Sequence, residues 1–222
     1  NEDMESFVYS VSHDLRAPLR AIDGFSHLLS EKYGEVLDEN GIRFLNRISE
    51  NIRRMNLLIN GLLSLSRVNR AKIEFETLDM ERIAERVIGE SQMRWLSPHE
   101  IVIEELHAVK GNEVLIQQVW QNLLDNAIKY SRTNEKPEIV VTSKVDGEFV
   151  TFSVKDNGIG FDNQYADQLF GVFERLSAST EIEGMGIGLA IVKKIVERHG
   201  GKVWAEGKEG EGATFYFTLP KA

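Results

Sequence analysis

His13 is followed directly by Asp14, inside a stretch whose apolar residues recur with a helical period. An exposed neutral imidazole is a competent nucleophile, and a neighbouring carboxylate can hold its tautomer and accept its proton. By itself the pair says little, because the chain has four other histidines and surface histidines are usually just solvated. Gln118, Asn122, Asp125, Asn126 and Lys129 follow at steps of 4, 3, 1 and 3, which gathers them on one helix face. That stripe reads either as a solvated face or as a site for phosphate and metal. The second reading gains from the residue types. Asparagines form helix poorly, an amide oxygen is a hard ligand suited to Mg²⁺, and a lysine can meet phosphate. Glycines cluster twice, at Asp156-Asn157-Gly158-Ile159-Gly160 and at Gly184-Met185-Gly186-Ile187-Gly188-Leu189. Alternate glycines leading into a helix let backbone N–H groups approach an anion, although they also serve plain turns. Neither cluster carries the Gly-Lys-Ser/Thr ending of a Walker loop or the context of a dinucleotide fingerprint.

The elements that must hold these groups have two grammars. Val8, Val11, Leu15, Pro18, Ile22, Phe25 and Leu29 step by 3 and 4 alternately, as in a heptad seam, and Leu45, Ile48, Ile52, Met55, Ile59 and Leu62 repeat the pattern. Turn signals between Gly34 and Gly41 make this a helical hairpin. With Val8 at heptad position a, His13 falls at the outward f position, and Pro18 bends the axis just beyond it. Two helices alone leave apolar surface over, which predicts a homodimer closing a four-helix bundle. The alternative is a hairpin packed on itself.

From residue 71 the pattern changes to mixed helix and strand. Ile73 to Phe75, Ile101 to Leu106, Ile139 to Val145, Phe149 to Lys155, Lys202 to Ala205 and Ala213 to Leu219 read as strands. Asp146-Gly147 marks a hairpin turn. Met80 to Arg94, Glu113 to Ser131 and Ile187 to Arg198 read as helices. Antiparallel strands with segregated helices predict an α+β two-layer sandwich. The weakly periodic stretch between the glycine clusters reads as a lid, and the linker near Asn69 to Lys72 as a short hinge.

Composition removes several classes. Cysteine is absent, so no disulfide framework or thiolate metal site exists. The net charge of −9 disfavours a general nucleic-acid binder. No apolar run approaches the roughly 20 residues that span a bilayer. The first residue is Asn1, so a piece of a longer polypeptide with an upstream sensor or anchor is expected.

Taken together, the motifs resemble those of sensor histidine kinases of two-component signalling, over essentially the whole chain. Ser12-His13-Asp14-Leu15-Arg16-Ala17-Pro18-Leu19 resembles the family's histidine box, and Asn122 through Asn126 to Lys129-Tyr130-Ser131 its asparagine box. The glycine clusters resemble its two glycine boxes, and Phe170-x-x-Phe173-x-Arg175 its phenylalanine box. Details such as Phe173-Glu174-Arg175-Leu176 resemble the kinase modules of phytochromes and PAS-linked sensors. The resemblance implies an all-α dimerisation and histidine-phosphotransfer hairpin over residues 1–70, followed by an ATP-binding sandwich of the GHKL (Bergerat) type over 71–222. It implies ATP and Mg²⁺ as ligands. It makes His13 the phosphoacceptor and Asp14 its proton acceptor, with Arg175 reaching the γ-phosphate. Asn126 would ligate the metal with help from Asn122, Lys129 would meet phosphate, and Tyr130 would border the nucleotide. Asp156 would accept from the adenine amino group beside Gly158 and Gly160. Gly184, Gly186, Gly188 and Leu189 would hinge a lid and cradle phosphates, and Thr214 would lie near the base. The implied partners are a second copy, the receiver domain of a response regulator and a sensor domain on the same chain. No nucleic acid and no direct membrane contact are implied, and the location is cytoplasmic. Ala17 stands where many members carry Thr or Asn, which predicts weak phosphatase activity. The rival readings are a GHKL ATPase driving a clamp and a non-enzymatic dimeric scaffold.

Overall fold

The computed structural model describes residues 2–95, 99–174 and 186–222, with all their side chains except those of 2–11 and 13. The chain divides into two compact units, Asn1–Asn69 and Arg70–Ala222.

The first unit is a hairpin of α1 (Glu2–Tyr33) and α2 (Glu39–Arg70). The Gly34 N–H closes the end of α1 on the Ser30 carbonyl at 3.0 Å, and Asp38 Oδ1 opens α2 by accepting from the Gly41 N–H at 2.8 Å. Helix α1 runs unbroken through Pro18. Leu19, Ile52, Ile59 and Leu63 form a buried cluster, and the Arg16 guanidinium donates to Asn60 Oδ1 at 2.8 Å. Much of the heptad seam is uncovered: Leu15, Ile22, Leu29, Ile48 and Met55 are exposed, and Phe25 is 68% exposed.

The second unit is a layer of helices on a five-stranded sheet of order β2-β4-β5-β7-β6. Its strands are β2 (Glu100–Ile103), β4 (Glu138–Asp146), β5 (Phe149–Asp156), β6 (Val203–Lys208) and β7 (Gly212–Pro220). Helices α3 (Met80–Trp95), α4 (Glu113–Ser131) and α5 (Gly188–Arg198) make the other layer. Alternation along β5 and β7 buries Val150, Phe152, Val154, Phe215, Phe217 and Leu219 against it. Trp120 of α4 meets Phe152 and Phe217 edge-on at 5.7 and 5.1 Å, and those two rings stack at 5.0 Å. The turn between β4 and β5 places Gly147 at φ 58°, as the Asp-Gly signal requires.

Three sequence readings need correction. Strands β4, β5, β7 and β6 pair antiparallel, but β2 pairs parallel with β4. Helix α4 lies between them in sequence, and a helical crossover returns the chain in the same direction. Ile73 to Phe75 is not a strand. Strand β1 (Glu76–Leu78) instead pairs with β3 (Val109–Gly111), which the sequence pattern does not announce, and the pairing ends at Glu76 opposite Gly111. Beyond that point the partner chain turns away into the cap of α4 at Asn112. Part of the expected lid, Asn163–Phe170, is a 3-10 helix.

Candidate functional site

Helix α4 organises the second unit because it shows three faces. Its start is fixed by Asn112, whose side chain accepts from the Leu115 N–H at 3.2 Å. The Asn112 N–H donates to Nε2 of the buried His199, whose Nδ1 donates to the Ile195 carbonyl. Burial lowers the His199 pKa, which keeps the neutral ring that this acceptor role requires. Ile116, Val119, Trp120, Leu123, Leu124, Ala127 and Ile128 form the core face. Asn126, Lys129 and Tyr130 line a cavity. The third face meets α3 and carries Asp125. The expected single stripe therefore splits in two, since Asp125 points at α3 and not into the cavity.

The cavity, about 520 Å³, opens between the end of α4, the end of β5, the 3-10 helix, the start of α5 and β7. That size suits a nucleotide-scale ligand. The cavity lining includes Asp156, 2% exposed, whose Oδ1 accepts from the Gly158 N–H at 2.9 Å. Burial pushes its carboxyl up to about 6, and hydrogen bonds from the Gly158 and Ala213 backbones pull the other way. At neutral pH it is an ionised acceptor surrounded by Ile159, Phe161, Ala213 and Phe215. Such a place suits a flat heterocycle with an amino donor.

The glycines matter through what a side chain would strike. A Cβ on Gly158 would lie 2.4 Å from the Tyr130 carbonyl oxygen, and one on Gly160 (φ 62°) would lie 1.9 Å from that of Lys208. Gly186 has φ 66°. A Cβ on Gly188 would approach Asn122 Oδ1 to 2.7 Å, so this glycine lets α5 close on α4. Gly188 and Leu189 bring the first turn of α5 into the cavity wall. The N-cap Ile187 supplies no side-chain acceptor, so the turn's N–H groups suit an anion. Lys129 Nζ lies 4.6 Å from the Tyr130 ring centroid.

Of the residues expected at the site, the cavity gathers Asn126, Lys129, Tyr130, Asp156, Gly160, Gly186, Gly188 and Leu189. Gly158 backs it through its bond to Asp156. Asn122 lies below, donating to the Gln118 carbonyl at 2.7 Å. Thr214 is not among the lining residues: alternation along β7 turns Ala213 and Phe215 inward, and Ala213 pairs with Asp156. Arg175 and Gly184 lie outside the described residues, as does the His13 side chain, although its backbone is helical. Asp14 and Ala17 are exposed on α1. Sequence reasoning missed Phe161, Tyr165, Leu169, Glu174 and Glu209 in the wall, and Ala213-x-Phe215 was a signal available from strand alternation.

Two family models match the chain. Residues 3–71 match the His Kinase A (phospho-acceptor) domain, and residues 111–222 match the histidine kinase-, DNA gyrase B- and HSP90-like ATPase. The chain belongs to the sensor histidine kinases. Its kinase relatives include cyanobacterial phytochrome A of Nostoc sp., 37% identical over 99% of this chain and 29% of the relative. The methanogenesis regulatory histidine kinase FilI of Methanothrix harundinacea is 39% identical over 99% of this chain and 25% of the relative. The kinase thus spans between a quarter and a third of these two proteins. Full-length ShkA, solved in complex with AMPPNP, aligns with a TM-score of 0.70 at 26% identity, over 98% of this chain and 46% of that one. The catalytic domain of the histidine kinase ThkA aligns at 0.55 and 30% identity, over 67% of this chain and 96% of that one. These matches agree with a helical region followed by a GHKL-type α+β unit. Among the described residues no helix is long and apolar enough to cross a membrane.

Proposed function

We propose that this chain phosphorylates His13 from ATP and passes the phosphoryl group to an aspartate in the receiver domain of a response regulator. The observation that carries the reading is the cavity, whose lining includes a buried carboxylate acceptor, Lys129 and the first residues of a helix without a side-chain cap. Asp156 accepts from the adenine amino group, and Ile159, Phe161 and Phe215 exclude water around the base. Lys129 and the α5 amides hold phosphate oxygens. The His13 imidazole attacks the γ-phosphorus, forming an N–P bond while the bond to the β,γ-bridging oxygen breaks and ADP leaves. Asp14 takes the imidazole proton. Positioning and charge neutralisation carry most of the catalysis.

The donor set fits Mg²⁺ held jointly with the nucleotide. Among the described residues no group of three His, Cys, Asp or Glu could cage a metal, whereas the Asn126 amide lines the cavity beside Lys129. Mg²⁺ is ordinarily held by one or two protein oxygens plus phosphates and waters. When bound it would offset phosphate charge in a unit whose own sum is negative.

The working form is a homodimer, supported by the phospho-acceptor domain match and by the uncovered Leu15, Ile22, Phe25 and Leu29. A sensor domain upstream on the same chain controls it, and this portion works in the cytoplasm. Incubation with γ-labelled ATP and Mg²⁺ tests the reading. Label should be lost in acid, kept in base and absent from His13→Gln, with nucleotide binding retained. Absence of label from the unaltered chain refutes kinase activity. Ala17 lacks a group to hold an attacking water, so phosphorylated partner should persist when the unaltered protein is added without ATP. Rapid loss of the phosphate would refute that part.

A further inference from the structure

Helix α4 offers α3 a row of four polar residues at a strict spacing of four: Glu113, Gln117, Gln121 and Asp125. Each is engaged. Arg86 donates to Glu113 at 2.8 Å and to Gln117 at 3.1 Å, and Gln121 donates to Ser91 Oγ at 2.8 Å. The row ends at Asp125, which collects three donors from the last turns of α3. Ser91 Oγ and Trp95 Nε1 each donate to Oδ1 at 3.0 Å, and Arg94 donates to Oδ2 at 2.9 Å. Both carboxylate oxygens are thus held in charge-assisted geometry from one neighbouring helix.

The next residue is Asn126, on the cavity wall. Its amide has no hydrogen-bond partner among the described residues, unlike that of Asn122, which is tied to the Gln118 carbonyl. Its aim therefore depends on how α4 is turned about its own axis. The close-packed apolar face sets the coarse rotation of the helix, whereas its dispersion contacts have no direction of their own with which to refine it. The three bonds to Asp125 do have direction. We propose that Asp125 is a positioning residue for Asn126, its carboxylate fixing the rotation of α4 that presents the Asn126 amide to the metal–phosphate end of the cavity. This rests on the metal role given to Asn126 above.

The test uses the whole chain, unaltered and as Asp125→Ala. Two quantities are read: affinity for Mg²⁺-free ADP, which reports the base end, and the Mg²⁺ concentration giving half-maximal autophosphorylation. Loss of a group that orients a metal ligand typically weakens metal binding or activity by about 10-fold or more, and that is the expected rise in half-saturating Mg²⁺. Mg²⁺-free ADP affinity should stay within about twofold, since Asp156 and its strands are untouched. Asp125→Asn keeps an acceptor for Ser91 and Trp95 and should recover most of the loss. Arg94→Met approaches the contact from α3, where the guanidinium is half exposed and its loss is tolerated. Its effect should not add to that of Asp125→Ala. An Asp125→Ala chain with unaltered Mg²⁺ half-saturation overturns the inference alone. Equal weakening of both quantities also overturns it, by making the role merely structural. Autophosphorylation of the unaltered chain without Mg²⁺ dependence removes the metal role of Asn126 and this inference with it.

Discussion

The two units solve the burial problem in opposite ways. The sheet unit closes on itself: Trp120, Phe152 and Phe217 are fully buried and each touches the other two. The hairpin buries a short cluster and leaves Leu15, Ile22, Phe25, Leu29, Ile48 and Met55 exposed. The difference separates a part that is finished as one chain from a part whose uncovered seam supports the proposed homodimer. Catalysis is assigned to the finished part and the acceptor to the unfinished one.

The sharpest way to break this contrast is to charge the seam. Ile22→Asp with Phe25→Asp should raise the dimer dissociation constant by about 1000-fold or more, because burying unpaired charge costs several kcal/mol. Light scattering at micromolar concentration should show monomer, with nucleotide binding intact. A persistent dimer would place the interface elsewhere. Ile52 and Ile59 are poorer targets, because they are buried inside the hairpin itself.

Phe152→Ala attacks the other side of the comparison. It should cost the sheet unit about 3–5 kcal/mol, read as its own denaturation midpoint, while the hairpin's association is unchanged. A loss shared equally by both would mean that they unfold as one.

A smaller effect separates binding from stability within the sheet unit. The carboxyl of Asp156 sits near 6 when folded, above its ordinary value of 3.8. Between those values the folded state holds a proton that the unfolded state lacks. The nucleotide-free unit therefore gains stability as pH falls through 6 toward 4, and carries a penalty of about 3 kcal/mol at pH 7. Asp156→Asn should raise the thermal midpoint at pH 7.5, with the gain vanishing near pH 4. ATP affinity should run the other way, falling by up to about 10-fold per unit below pH 6, because a protonated acid is a weaker acceptor for the base's amino group. A pH-independent affinity between 5 and 8 would remove Asp156 from base recognition.

The smallest effect is expected at Ala17. It is exposed on α1, so Ala17→Thr should shift hairpin stability by less than about 1 kcal/mol. Phosphatase activity is the sensitive readout there.

Much of the fold is legible in the residues themselves. Helix α4 reads out within its observed bounds because its helical apolar spacing runs from Glu113 to Ser131. The hairpin is legible for the same reason, with Gly34 and Asp38 punctuating two periodic runs. The misses have a common cause, which is that they depend on a distant partner. Whether β2 runs parallel to β4 is settled by the crossover, and a three-residue strand such as β3 exists only because β1 lies beside it. Asp125 and Asn126 are adjacent asparagine-box residues, yet only the position of α3 shows that they face different neighbours. Thr214 is off by one residue from the inward Ala213 and Phe215, and in a strand one residue exchanges the faces.

Strand β7 comes last of all the elements in sequence but lies inside the sheet, between β5 and β6. Chains emerge from the ribosome N-terminus first. The hairpin with its proposed acceptor histidine has been synthesised long before residue 212 is made, and β6 then has no sheet neighbour. Ala213 and Phe215, which help wall the cavity, arrive only with that final strand. A nascent or prematurely terminated chain can therefore present an acceptor but cannot assemble the donor site. The order of the strands thus makes the proposed phosphorylating site depend on synthesis through the end of β7.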